Sequence, residues 1–95
     1  MVVGTGIITF RLHDVHSLKG KRSIVKSIIG RLRNEFNASI AEIGDNDNLD
    51  QALIGFSMTG NDNRLINSKI DKLINMAEEL GLAEMMDSDI EIITF

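Results

Sequence analysis

Seven cations stand between Arg11 and Arg33, with a single anion, Asp14, among them. They are Arg11, Lys19, Lys21, Arg22, Lys26, Arg31 and Arg33. That segment carries +6, residues 34–95 carry −10, and the net charge is −4. Ammonium and guanidinium groups at this density do one kind of chemistry well: they hold phosphate or carboxylate oxygens through charge-assisted hydrogen bonds. A mildly acidic chain that gathers its cations into one stretch points to an acidic partner, with nucleic acid the first candidate.

On a helix, at 100° per residue, Lys19, Arg22, Lys26 and Arg33 fall within about 60° of one another. Like charges three and four residues apart oppose the helix by roughly 0.2–0.5 kcal/mol a pair. Lys19, Lys21 and Arg22 also crowd a helix start, where the macrodipole favours anions. A bound phosphate turns both penalties into attractions, because free first-turn N–H groups and cations converge on it. Ser17 and Lys19 are the expected anion-binding pair at that start. The competing reading is a solvated basic face, balanced by acids of the same molecule or of a second copy.

No other cluster assembles a site. His13 and His16, with Asp14 between them, fall short of the three or four ligands a metal needs; they read as polar loop residues, and as extra phosphate donors when charged sooner than as metal ligands. Asp45, Asp47 and Asp50 lie in a run without the sixth-position glycine and twelfth-position glutamate of a calcium loop, so they read as a polar turn. Gly4-Thr5-Gly6 lacks the third glycine of a dinucleotide fingerprint and enters a strand rather than a helix. No Ser/His/Asp set and no pair of inward carboxylates stands out. Neither an enzyme, a cofactor nor a metal is expected.

The elements that must position the cations follow from hydrophobic period. Ninety-five residues, 43% hydrophobic and 25% charged, make one folded domain over 1–95. There is no cysteine, which excludes disulfides and thiolate metal sites. With no basic leader and no apolar run near ~20 residues, a cytoplasmic chain without membrane contact is expected. Ile8, Phe10 and Leu12 alternate with polar residues, as in a strand with one buried face. Ile24, Val25, Ile28, Ile29, Leu32 and Phe36 then recur at helical spacing, so Ser17 to about Phe36 is an amphipathic helix with Ser17 as its N-cap.

Ile40–Ile43 is a short strand, 44–50 a turn, and Ile54, Phe56 and Met58 mark a third strand. Ile66, Ile70, Leu73, Ile74 and Ala77 stripe a second helix, which Gly81 ends as a left-handed cap. Ile90 and Ile92 mark a last strand. The order βαββαβ predicts a ferredoxin-like α+β fold, a four-stranded antiparallel sheet with two helices on one face. Its core is expected to hold Ile8, Phe10, Val25, Ile28, Leu32, Ile54, Phe56, Ile70, Leu73 and Ile74. The opposite face would show Thr9, Arg11, Ser57, Thr59 and Glu91, with no aromatic for the base stacking of an RNA-recognition motif. Acylphosphatases share the size and element order, but their glycine-rich anion loop has no counterpart in His13–Lys19.

Ser17-Leu18-Lys19-x-Lys21-Arg22, followed by Arg31-Leu32-x-x-x-Phe36-Asn37-x-Ser39-x-Ala41-Glu42, resembles the YlxP-like family of small uncharacterised bacterial proteins, along the whole chain. The resemblance implies a ferredoxin-like fold. The family's genes often lie among those for transcription and translation factors, which implies an RNA- or ribosome-linked role. Two positions depart from the family. Gly20 stands where members commonly carry the glutamate that completes a capping box with the serine. Leu49-Asp50 stands where members often carry Trp-Gln, so any contact made by that pair does not carry over.

The expectation is a non-enzymatic RNA- or ribosome-associated binding protein. Lys19, Lys21, Arg22 and Lys26 would make phosphate contacts, with Arg31, Arg33 and Arg11 flanking them. The alternative is a protein-interaction module, including a homodimer formed through an open sheet edge. A small-ligand sensor or enzyme is the weaker third reading.

Overall fold

Alternation of apolar and small or polar residues drives the first strand, β1, over Val2–Arg11. A computed structural model describes all 95 residues. Helix α1 follows at Leu18–Glu35, strand β2 at Ser39–Gly44, strand β3 at Gln51–Gly60, helix α2 at Asn63–Glu79 and strand β4 at Glu84–Thr94. The strands lie in the order β2-β3-β1-β4, every neighbour antiparallel. This is the expected ferredoxin-like arrangement.

Local chemistry fixes the helix ends, at Ser17 and Gly81 as expected. Ser17 is the α1 N-cap, its Oγ accepting the Gly20 N–H at 3.0 Å. Asp62 caps α2 by accepting the N–H groups of Arg64 and Leu65. Gly81 leaves α2 at φ +64, a left-handed conformation that glycine adopts without a Cβ penalty.

Side chains alternate across a strand, so register decides which face each one joins. Ile8, Phe10, Ile54 and Phe56 point at the helices and meet Val25, Ile28 and Leu32 of α1 and Ile66, Ile70 and Leu73 of α2, all buried. Nine of the ten expected core residues are buried; Ile74 is half-buried at the margin. Gly6 admits the Phe56 ring, since a Cβ there would stand 2.5 Å from Phe56 Cζ. Thr9, Arg11, Ser57, Thr59 and Glu91 share the opposite face through the pairs Thr9–Leu53, Arg11–Gln51, Thr5–Ser57, Val3–Thr59 and Thr5–Glu91. Strand β4 begins at Glu84, well before Ile90. Being an edge strand with mostly exposed residues, it shows little of the hydrophobic alternation by which strands are recognised.

Candidate nucleic-acid interface

The outward side of α1 carries Lys19, Arg22 and Lys26, all exposed. Seven residues separate Lys19 from Lys26, about 10 Å along the axis. No acid lies within 4.0 Å of any of the three; the contacts between basic side chains and carboxylates in the molecule are His13–Glu84 and Lys21–Glu42. The first turn holds no acid at all. Their charges are therefore left uncompensated at close range, on an element held in place by Val25, Ile28 and Leu32 beneath it.

Lys21 does not join them. It is 1% exposed. Its ammonium donates to the Asp45 carbonyl and lies 3.2 Å from Glu42 Oε2. That oxygen is buried and accepts no well-directed hydrogen bond, so its contact with Lys21 is chiefly ionic. On the helix wheel Lys21 falls with the apolar stripe, and the sheet supplies a carboxylate to receive it. The expectation that Lys21 contacts phosphate is corrected: desolvated and paired, it fastens α1 to β2 and to the following turn. The turn is built for this contact. Asp45 takes φ +55, accepts the Asn48 N–H at 2.9 Å, and receives Gln51 Nε2 on its side chain.

Glu42 is the residue that cation counting overlooked. It lies two positions after buried Ile40 on the inward side of β2. A carboxylate placed at such a position requires a cation, and period two was the available signal.

The other cations are dispersed. Arg33 donates from Nη2 to the Ile40 carbonyl at 2.6 Å, so part of its fork supports the start of β2. Arg31 is exposed but projects more than about 100° around the helix from Lys19. Arg11 sits on the sheet face turned away from the helices, opposite Gln51 and Glu84. It is separated from the α1 row by the thickness of the sheet and does not flank it. Ser17 spends its hydroxyl on the Gly20 N–H. His13 Nε2 lies 2.7 Å from Glu84 Oε2, while His16 is exposed. No group of three His, Cys, Asp or Glu side chains comes together as a metal would require. No helix is long and apolar enough to cross a membrane.

The family described as "Protein of unknown function (DUF503)" matches residues 3–90. The chain is similar to the uncharacterized protein YlxP of Bacillus subtilis (strain 168), 41% identical over 46 residues, which are 48% of this chain and 50% of that one. The match thus spans half the length of that relative. Among solved structures, a de novo designed protein with a ferredoxin fold superposes with a TM-score of 0.54 at 15% identity, over 100% of this chain and 87% of the other. A dimeric ferredoxin-like protein from an uncultured marine organism gives 0.52 at 8% identity, over 100% and 98%. At these identities the structures speak to fold alone.

Proposed function

The chain belongs to the DUF503 family of proteins of unknown function, and we propose that it is a cytoplasmic, non-enzymatic RNA- or ribosome-associated binding protein acting through the outward side of α1. One observation carries the reading. Lys19, Arg22 and Lys26 are exposed together on a rigid helix with no acid near enough to neutralise them. Sequence chosen for helix stability alone would separate them or place glutamates beside them.

Contacts of this kind neutralise phosphates and release counterions, so they set affinity and orientation rather than base sequence. Arg22 offers a planar fork for bidentate phosphate contact, and the two lysines act as flexible point charges. The partner expected is structured RNA, whose backbone presents phosphates in rows. Lys21 and Arg11 take no part.

Binding of an RNA hairpin, measured across a salt series, tests this. Each neutralised phosphate adds about 0.7–0.9 to the slope of log affinity against log salt. The variant Lys19→Ala/Arg22→Ala/Lys26→Ala should flatten the slope by roughly two to three units and keep the circular-dichroism spectrum of the parent. Lys69→Ala/Lys72→Ala on α2 is the control and should change little. A triple variant that binds as tightly as the parent, or a parent that does not bind at moderate salt, would overturn the reading. The basic side of α1 would then be a docking surface for an acidic protein.

A further inference from the structure

The sheet face turned away from the helices is uncovered, and five large aliphatic side chains stand on it among polar ones. Val3 and Leu53 are half-buried there, while Ile7, Ile93 and Ile43 are 41%, 37% and 51% exposed. Ile43 lies across Gly55, where a Cβ would stand 2.8 Å from its Cγ2. A shallow depression of about 350 Å³ opens between Ile7 and Ile43, floored by Thr5, Ala41, Gly55 and Ser57. Protruding isoleucines beside a hollow make a surface that can receive itself.

From this face we infer that the protein forms a two-fold dimer by stacking the uncovered sheets of two copies, with Ile7 near the centre and Ile43 toward the β2 edge. Three features select a second copy as the occupant. Four strands about 4.8 Å apart, three of ten or eleven residues and one of six, present roughly 600 Å² in projection. Two such faces bury about 1,200 Å² before corrugation is counted, which is the lower end for a specific interface.

The charges also fit one symmetry. The acids Asp87, Asp89 and Glu91 sit on this face along β4, while the facing sides of β1, β2 and β3 hold no acid. A two-fold axis parallel to the strands lays each Ile7 over the other copy's Gly55 and each β4 over the other copy's β2, so the acid rows stay apart at the two rims, each beside an Ile43.

The rival route, pairing of edges, is blunted. Two β4 edges joined antiparallel with their helix layers on the same side would set Asp87, Asp89 and Glu91 against one another, and like charges directly opposite destabilise. The other edge, β2, has only six residues and an irregular register between Glu42 and Gly44.

Sedimentation equilibrium at about 100 µM should give twice 10.5 kDa for the parent, as expected for a modest interface with micromolar affinity. Ile7→Gln/Ile43→Gln should weaken dimerisation at least about 100-fold without altering charge. Leu65→Gln, which changes an exposed leucine of α2, should leave the dimer intact. A parent that stays at 10.5 kDa up to about 1 mM, or a folded double variant that remains dimeric, overturns the inference.

A second measurement needs no variant. On dilution, amide shifts of the parent should change at Thr5, Ile7, Ile43 and Gly55; changes confined to α1 and α2 would place the contact elsewhere. Neither experiment contains RNA, so their failure leaves the α1 reading standing, and failure of the RNA titration leaves the dimer standing.

Discussion

Lys21 shows how one side chain changes role on being buried. A lysine in a basic run reads as a surface cation, yet this one is desolvated and held by Glu42 and the Asp45 carbonyl. Removing one partner of a buried pair leaves the other charge uncompensated, so Lys21→Ala should lower stability by about 3–5 kcal/mol, while Lys21→Met/Glu42→Leu should be far closer to neutral. Urea unfolding of the singles and the double checks this as a mutant cycle, and a single-variant loss within ~0.5 kcal/mol, as at ordinary surface sites, would mean that the ammonium is solvated. Phe56 is the apolar counterpart: it is 4% exposed and its ring fills the space Gly6 leaves open. Phe56→Ala should destabilise by about 3–5 kcal/mol. A midpoint shift worth less than about a third of that would contradict the packing of the ring over Gly6.

At the scale of the element, α1 carries half of a capping box. Ser17 accepts the Gly20 N–H, and position 20 has no side chain to return a hydrogen bond to the serine backbone. Gly20→Glu supplies that acceptor and replaces a glycine in the first turn, for a combined gain on the order of 1 kcal/mol. The new Cβ would lie 3.3 Å from Ser17 Oγ, so the hydroxyl must yield by a few tenths of an ångström. Thermal and urea midpoints should rise. Because the added carboxylate sits one residue from Lys19, RNA affinity should fall in the same variant. If the midpoint drops instead, the hydroxyl does not yield and the reciprocal cap does not form.

For the molecule as a whole, layering separates the charges that the sequence merely lists. The row Lys19, Arg22 and Lys26 lies on the outer side of α1, and Asp87, Asp89 and Glu91 lie on the far face of the sheet, along β4. A steep salt dependence carried by Lys19, Arg22 and Lys26 can therefore coexist with a dimer built on Ile7 and Ile43, since the two surfaces face opposite ways. In such a dimer both basic helices point outward, one on each side. Two copies would then engage two stretches of RNA, and the avidity of the dimer should exceed that of the Ile7→Gln/Ile43→Gln monomer on long RNA while matching it on a short hairpin.

The sequence by itself determined the order of elements, the span of α1 to within a residue of each end, the Ser17 cap, the left-handed Gly81 and nine of ten core positions. These are local properties: apolar period chooses helix or strand, and a hydroxyl or a missing Cβ chooses where a helix starts or stops. It also exposed the row Lys19, Arg22 and Lys26, because helical spacing alone puts them on one side. Only the tertiary structure decided that Lys21 pairs with Glu42, that Arg11 faces away from the row, that Arg33 supports Ile40, and that β4 begins at Glu84. Each of these depends on which residue a distant strand brings alongside. That is a matter of sheet register between segments far apart in the chain, and local period carries no information about it.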